Sequence, residues 1–423
     1  MKKTFILSLF ICLMIVACKK TDSNPSNGTI EGIIANIQGG TSIASADVEI
    51  FNAVDNSSTS YSTSSGSDGK YSISITPGTY LITISKQGYS SIPPIGVSAV
   101  PVIVTAGVKT IASYQMAASS SSNTGYVTGR ILDGSTPKSG VLTIVSGNGS
   151  TYSGTTNTKG NFTLYNIPAG SYSVKGYLAS YNSSSVNISV TQNTKTTSSD
   201  IVLSSGAAGV VTGNVAFLAT TNVEVDVSLI IPGTNSTIPG LTVKTSGGTY
   251  SMSHVPNGTF LARASWANDN KVVDPDWIIK SGEPIVIINS NSVSLNFSLT
   301  GAVLLNTPTN ALTTTVPVIV TTTAPVFTWN SYSSTDNYVI EVMDMNGTTV
   351  WGGISGTPLT RKVMVAKTQT TATYNFDGSG KALQNGSTYR WRIYASKDDS
   401  GLPLGWKLIS ASEEQMGLFN INL

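Results

Sequence analysis

The residue types that most often catalyse reactions or bind transition metals are scarce in this sequence. Its 423 residues include one histidine, His254, and two cysteines, Cys12 and Cys18. A tetrahedral zinc site needs several histidine or cysteine ligands, so a multi-histidine zinc site is excluded. His254 ends a predicted strand before a Pro-Gly turn, and the sequence lacks the Gly-x-Ser-x-Gly elbow of serine hydrolases. We therefore predict no catalytic residues, no cofactor and no enzyme activity.

Acidic side chains occur in close pairs, which could serve a glycosidase or bind calcium. The pairs are Asp274 with Asp276, Asp398 with Asp399, and Glu413 with Glu414. All lie in polar stretches or stretches bounded by Pro or Gly, so we interpret them as solvated surface charge. Two predicted turns, Asp344–Gly347 and Asp398–Gly401, hold oxygen ligands but lack the length and terminal Glu of an EF-hand. We predict no metal site, with calcium on such a turn as the open alternative.

The tryptophans are the residues that most suggest a binding function. All six lie between Trp266 and Trp406. Trp329 and Trp391 fall in alternating apolar patterns and are predicted to lie in a core. The other four lie near Gly, Asp, Asn or Pro and are predicted on loops or strand ends: Trp266, Trp277, Trp351 and Trp406. Exposed rings could stack on sugars, with hydroxyl groups bound by Asp274 and Asp276; capping of a small core is the alternative.

The N-terminus has the pattern of an export signal. Met1-Lys2-Lys3 precedes an apolar run from Phe5 to Val16, which is too short to span a bilayer. The run ends Ile15-Val16-Ala17-Cys18, which resembles the bacterial lipobox. That resemblance implies that Cys18 is lipidated and anchors the chain to the outer membrane, on the cell surface or on the periplasmic face. An ordinary secretory peptide that happens to contain a cysteine is the alternative.

Most of the remaining chain is organised around a repeated strand-turn-strand unit. Its first copy, Asp68–Tyr89, has a Gly turn, an alternating strand, a Pro-Gly break and a second alternating strand. Two further copies begin at Lys159 and Gly247, about 90 residues apart, which suits independent sandwich domains rather than a solenoid. An opening strand precedes each copy: Gly28–Gly32, Gly125–Gly129 and Gly209–Gly213. Closing strands are predicted to follow at 111–116, 201–203 and 293–299.

These residues resemble the carboxypeptidase regulatory-like domain, a prealbumin-like β-sandwich. Its pattern is a G-x-V-x-G strand, a D-G-x-Y/F turn, a P-x-G-x-Y strand and a Gly-Tyr corner. The first copy keeps the corner at Gly88-Tyr89, the second has Ser180 in place of the glycine, and the third has Asp269 at the matching offset. The resemblance implies a structural or binding module without peptidase activity. The opening strands contain no lysine, so the lysine–asparagine crosslinks of related pilin modules are not expected.

The C-terminal block has a different pattern. Pro325–Trp329, Tyr338–Val342 and Tyr389–Ala395 alternate apolar and polar residues, with a turn near Gly347. This resembles a fibronectin type III-like domain over about 304–423. The predicted fold class is therefore all-β, as tandem β-sandwiches: three prealbumin/Ig-like and one fibronectin type III-like.

The sequence predicts seven segments along the chain. They are a signal peptide (1–18), a tether (19–27), a first domain (28–117), a Ser-rich linker (118–124), a second domain (125–204), a divergent third domain (209–300) and a fourth domain (304–423). Only 11% of residues are charged and the net charge is +2, which gives no electrostatic footprint for nucleic acid.

Two functions follow from these patterns. The first is a non-catalytic, membrane-anchored surface lipoprotein that serves as a structural, adhesive or protein-interaction scaffold. Its domains would form a string, with the fourth domain at the tip farthest from the lipid on Cys18. The second is a glycan-binding surface lipoprotein of a polysaccharide-uptake system. The partners expected are the membrane and a protein or glycan at the cell surface.

Overall fold

The computed structural model describes residues 26–52, 59–97, 99–119, 123–217, 224–264, 270–311, 314–344, 347–413 and 416–423. These residues form 39 β-strands and one short α-helix, α1 (Pro275–Ser281). The strands pair into successive sheets, so the predicted all-β fold of tandem sandwiches is confirmed. None of the helical structure in these ranges is long and apolar enough to cross a membrane. The signal peptide, Cys18 and most of the tether lie outside the described residues.

The first sandwich contains eight strands: β1 (Gly28–Asn36), β2 (Asp47–Asn52), β3 (Ser60–Ser64), β4 (Lys70–Ile75), β5 (Gly78–Ser85), β6 (Val102–Val104), β7 (Lys109–Ile111) and β8 (Tyr114–Met116). One sheet holds β4, β1, β7 and β8, and the other has the order β3-β2-β5-β6. Alternate residues of each strand point between the sheets, which gives a buried core that includes Ile30, Ile34, Val48, Ile50, Tyr71 and Ile82.

The second sandwich contains ten strands: β9 (Thr124–Asp133), β10 (Thr136–Pro137), β11 (Leu142–Gly147), β12 (Ser150–Thr155), β13 (Asn161–Pro168), β14 (Gly170–Tyr177), β15 (Tyr181–Ser183), β16 (Val186–Val190), β17 (Lys195–Thr197) and β18 (Ile201–Ser205). Its second sheet has the order β12-β11-β14-β16, which matches that of the first sandwich.

The third sandwich contains α1 and nine strands: β19 (Gly209–Phe217), β20 (Asp226–Ile231), β21 (Ser236–Lys244), β22 (Thr249–Val255), β23 (Gly258–Ala264), β24 (Lys271–Val273), β25 (Ile285–Ile288), β26 (Ser292–Ser294) and β27 (Phe297–Gly301). The order β21-β20-β23-β25 repeats the same sheet again. The closing strand predicted at 293–299 is in fact two strands. The Asn296 side chain interrupts it, because its Oδ1 accepts a hydrogen bond from the Asn214 backbone N–H at 2.8 Å.

The fourth sandwich contains twelve strands: β28 (Leu305–Thr307), β29 (Val318–Val320), β30 (Val326–Trp329), β31 (Asn337–Asp344), β32 (Thr349–Gly352), β33 (Ile354–Ser355), β34 (Thr360–Arg361), β35 (Met364–Ala366), β36 (Thr371–Thr373), β37 (Thr388–Asp398), β38 (Trp406–Ala411) and β39 (Leu418–Ile421). Trp329 and Trp391 are 1% and 0% exposed in its core, as predicted. Its specific likeness to fibronectin type III remains a prediction.

The repeat seen in the sequence corresponds to a repeated topology. Each opening strand (β1, β9 and β19) pairs antiparallel with the strand after the Gly turn (β4, β13 and β22). The same opening strand pairs parallel with two short closing strands. The third copy therefore keeps the architecture although its sequence lacks the Gly-Tyr corner.

In the first and third sandwiches, a close backbone crossing requires the glycine that ends the opening motif. A Cβ on Gly32 would lie within 3.0 Å of the Ala112 carbonyl oxygen, where the closing segment crosses β1. The Tyr71 hydroxyl donates a hydrogen bond to that same carbonyl oxygen at 2.5 Å. The motif glycine and the turn tyrosine therefore both fix the position of the closing segment against β1. The arrangement recurs in the third sandwich at Gly213, Tyr250 and Leu295.

Ser180 takes the backbone conformation of the glycine that it replaces. Gly88 has a φ of 82° and Ser180 has a φ of 73°, both in the left-handed region. The Ser180 backbone N–H donates to the His254 carbonyl oxygen at 2.8 Å, which joins the second and third sandwiches. His254 itself has a φ of 60° and an exposed side chain.

The four sandwiches pack on one another, so the expected string with the fourth sandwich as a distal tip is wrong. The Gly96 carbonyl oxygen of the first sandwich accepts hydrogen bonds from Asn235 Nδ2 of the third (2.8 Å) and Arg390 Nη1 of the fourth (2.9 Å). Leu142 and Ile144 of the second sandwich join the core of the third. A hydrophobic interface of this kind opposes free domain motion, which the short linkers alone would have allowed.

Candidate functional site

Two of the four tryptophans predicted as ligand-stacking rings are buried. Trp351 lies on β32 and is 2% exposed, and Trp406 begins β38 and is 7% exposed. The Trp351 indole N–H donates to Asp377 Oδ1 at 2.7 Å, and the Arg361 guanidinium lies 5.0 Å from the Trp406 ring centre. The expectation of exposed rings is wrong here, because Trp351 belongs to the fourth sandwich's core and the Trp406 ring is covered instead of facing solvent.

The predicted site in the third sandwich is centred on α1. Trp277 is half-buried on this helix and packs against the core of the third sandwich. Asp274 caps the helix, since its Oδ1 accepts a hydrogen bond from the Asp276 backbone N–H at 3.0 Å. Asp276 pairs with Lys280 at 2.6 Å. Both carboxylates therefore stabilise the helix; their role in ligand binding stays a prediction, and Trp266 lies outside the described residues.

The other acidic pairs contribute to no candidate metal centre among the described residues. Asp398 pairs with Arg361 at 2.8 Å and Asp399 with Lys407 at 3.6 Å, as expected of surface charge. Glu413 is only 4% exposed, so its interpretation as solvated charge is wrong, and Glu414 lies outside the described residues. Within the described ranges, no group of three or more His, Cys, Asp or Glu side chains is placed to hold a metal ion.

The feature that gathers the most functional groups is a cavity of about 570 Å³ between the sandwiches, here called the central cavity. Residues from all four sandwiches line it, and its volume lies within the usual range for small-molecule sites. Three of its lining residues, Ala118, Asn161 and Pro168, are exposed at the protein surface, so the cavity opens to solvent.

The floor of the central cavity is the outer face of β2 and β5. On β2, Val48 and Ile50 point into the first sandwich, so Asp47, Glu49 and Phe51 point the other way. Each of these three residues has a partner directly opposite on β5: Ser85, Thr83 and Leu81. The floor therefore carries two acidic residues whose Cα atoms lie about 7 Å apart along the strand, followed by an apolar patch of Phe51 and Leu81, both buried.

The carboxyl groups of the floor lie in an environment that disfavours their charged forms. Burial, aided by the neighbouring Asp47, raises the pKa of Glu49 to about 9. Burial also raises the pKa of Asp47, against the opposing effects of the Tyr165 hydrogen bond and Lys86. Tyr165 of the second sandwich donates to Asp47 Oδ2 at 3.1 Å. Glu49 Oε2 is buried without a hydrogen-bond partner among the described residues.

The second sandwich forms a wall of the central cavity, and specific contacts with the first sandwich hold this wall in place. Asn166 of the second sandwich donates from Nδ2 to the Tyr89 carbonyl oxygen at 2.6 Å and accepts from the Gly88 N–H at 3.1 Å. Thr83 and Thr155 bring their hydroxyl groups within 3.3 Å across the same interface. The Gly-Tyr corner, known from the sequence as a fold marker, thus also positions the cavity wall.

Sequence reasoning missed this site. The signal was the segment Asp47-Val-Glu-Ile-Phe51, in which acidic residues alternate with core residues on one strand. Such a pattern normally indicates a solvated outer face, because nothing in the local sequence shows that another domain covers it.

The fold and the cavity define the class of protein: a set of tandem β-sandwiches packed around an interdomain cavity. The carboxypeptidase regulatory-like domain matches residues 29–108, which confirms that resemblance for the first sandwich. No curated protein matches the chain.

Several solved structures have distant similarity to the chain. The Bacillus anthracis TIE protein is 14% identical over 65% of this chain and 51% of its own length, with a TM-score of 0.19. A streptococcal ancillary pilin is 13% identical over 64% of this chain and 99% of its own, also at 0.19. The shaft pilin SpaA of Lactobacillus rhamnosus GG is 10% identical over 43% of this chain and 98% of its own, at 0.19. The chain spans about half the length of the Bacillus anthracis protein.

Proposed function

We propose that this protein is a non-catalytic, membrane-anchored surface lipoprotein that acts as a structural, adhesive or protein-interaction scaffold. The observation that supports a scaffold is the direct packing of the sandwiches, through which one carbonyl oxygen, that of Gly96, accepts hydrogen bonds from two other sandwiches. Such packing presents a fixed surface to a partner, which lowers the ordering cost of binding.

The anchor is tested by comparing two cysteine variants in bacterial cells. Cys18→Ala removes the proposed lipidation site, so we expect the protein to move from the membrane fraction to the soluble fraction. Cys12→Ala is the matched control, because Cys12 lies inside the apolar signal segment and would leave with it. External protease then tests surface exposure in intact cells. Retention of Cys18→Ala in the membrane would contradict the lipid anchor.

The scaffold function is tested with the chain from residue 19 onward, coupled to beads. Beads that carry this chain should bind to the surface of cells or matrix more strongly than beads that carry a chain with its sandwich contacts weakened. Asn235→Ala combined with Arg390→Ala removes both hydrogen bonds to Gly96. If coated and uncoated beads bind equally well, the adhesive proposal fails.

Glycan binding is a second candidate, and the half-buried Trp277 beside Asp274 and Asp276 favours it. Retardation in native gels that contain a polysaccharide would detect binding. Trp277→Ala should abolish the retardation, whereas Trp351→Ala should act only by unfolding the fourth sandwich. Unretarded migration in a broad set of polysaccharides would remove this candidate.

A further inference from the structure

Among the described residues, the Glu49 carboxyl group in the central cavity forms no ion pair, and its Oε2 has no hydrogen-bond partner. Among the described residues that line it, three are acidic (Asp47, Glu49 and Asp344) and one is basic, Lys86. The Lys86 ammonium group donates to the Ser45 carbonyl oxygen at 3.1 Å instead of pairing with either carboxyl group of the floor. A buried carboxyl group that lacks a partner is costly, so its presence calls for an explanation.

The second sandwich shows that packing alone does not require these acids. Its strand β11 is the counterpart of β2. β11 pairs antiparallel with β12 and β14, as β2 pairs antiparallel with β3 and β5. The outer face of β11 carries Leu142 and Ile144, which join the core of the third sandwich. The outer face of β2 carries Asp47 and Glu49, and a cavity is left above them. The outer faces of β2 and β11 are therefore both covered by another sandwich. Only the face of β11 packs against its neighbour through apolar side chains.

We propose that the central cavity binds an organic cation, whose ammonium or guanidinium group lies between Asp47 and Glu49 and whose apolar part contacts Phe51 and Leu81. The cavity volume suits a small molecule or an inserted side chain. A bare metal ion fits poorly, because the described residues offer no cluster of three ligands. This inference goes beyond the proposed scaffold function and does not require it.

Binding should release a proton. The raised pKa of Glu49 keeps this group neutral at pH 7 in the free protein, and a nearby cation favours its charged form. Glu49 would then lose its proton to the buffer as the ion pair forms, with no other bond made or broken. Asp47 is the charged group that acts on it, and Lys86 and Asp344 line the same cavity. The tyrosines of the lining are Tyr89, Tyr152, Tyr165 and Tyr389. Burial raises the pKa of Tyr152 and of Tyr165, so these two stay neutral between pH 6 and pH 9.

The test is titration calorimetry on the full mature chain with two cationic probes. Cadaverine represents a free amine, and a Gly-Lys-Gly peptide with blocked termini represents a protein side chain. The same peptide with acetylated lysine is the neutral control, and a neutral disaccharide tests the alternative ligand class. Measurements at pH 7 in phosphate and in MOPS, which differ in ionisation enthalpy and are not cations, report the protons released.

We expect at least one cationic probe to bind with release of up to one proton, and its affinity to rise between pH 6 and pH 9. Glu49→Gln should weaken binding about tenfold or more and abolish the proton release. Glu31→Gln, a surface carboxyl group of the same sandwich, is the matched control and should bind as the wild type does. Circular dichroism verifies folding, and Asp47→Asn provides a second variant if Glu49→Gln is unfolded.

Three results would overturn the proposal. The first is that the acetylated peptide binds as tightly as the peptide with free lysine. The second is that only the disaccharide binds, without proton release. The third is that neither cationic probe binds. If cadaverine binds and the peptide does not, the ligand is a free amine; the reverse result assigns the site to a basic side chain of a partner.

Discussion

Glu49→Gln should change how the stability of the first sandwich depends on pH. The folded protein holds the Glu49 proton up to a pKa of about 9, whereas the unfolded chain releases it near 4.5. Because the pKa is raised on folding, the stabilisation by the bound proton is complete below 4.5 and is lost as the pH rises to 9. The free energy of unfolding should fall by at most about 1.4 kcal/mol per pH unit in that window, or roughly 2 to 3 kcal/mol from pH 6 to pH 8.

The substitution removes the titrating proton at nearly constant volume. The variant should therefore match the wild type near pH 5 and exceed it in stability at pH 8. All six tryptophans lie outside the first sandwich, so their fluorescence does not report on it. Hydrogen exchange of peptides from β2 and β5 across a urea series, corrected for intrinsic exchange rates, measures this stability directly.

Glu31→Gln is the control for this measurement. Its carboxyl group pairs with Lys109 at the surface at 3.2 Å, and such pairs contribute at most about 1 kcal/mol. A wild-type stability that is flat from pH 6 to pH 8 would refute the reasoning. A difference between Glu49→Gln and the wild type that is the same at every pH would refute it equally, because it would point to packing.

Two further predictions concern packing. Gly32→Ala should destabilise the first sandwich by about 1–3 kcal/mol, because the new methyl group would meet the Ala112 carbonyl oxygen; Gly154→Ala, where a Cβ meets only ordinary contacts, should be tolerated. Equal urea midpoints for the two variants would contradict the close crossing. Trp351→Ala should cost the fourth sandwich about 3–5 kcal/mol and leave the Asp377 carboxylate without its indole donor. Unchanged tryptophan fluorescence and urea midpoint would show instead that the ring is dispensable for folding.

Much of the architecture could be predicted because its signals are local. Alternation around Tyr71 and Ile73, the Pro77-Gly78 break and the paired glycines of the opening strands each fix a strand or a turn within a few residues. These signals recur at a constant period, so three sandwiches could be recognised from one. The structure explains why position 32 is a glycine, because the segment at residue 112 crosses there. The recurrence of this glycine in each opening strand could be seen from the sequence without knowing of that crossing.

The functional predictions depended on exposure, which local sequence does not determine. Trp351 has glycine neighbours and therefore resembled a loop residue, but it lies on a strand whose inner face fills the fourth sandwich. Glu413 resembled surface charge and is buried. The Trp351 ring packs against Phe327 and Tyr374, each more than twenty positions away in the chain.

The sequence by itself determined the fold class and the repeat, because strand periodicity and turn residues act between neighbours in the chain. It also placed acids at Asp47 and Glu49 on the outer face of one strand. Only the tertiary structure decided that other sandwiches cover that face and convert solvated acids into the floor of a cavity. The physical reason is that a carboxyl group's pKa and its possible partners depend on what excludes water from it, and here that is done by residues more than a hundred positions away, such as Tyr165.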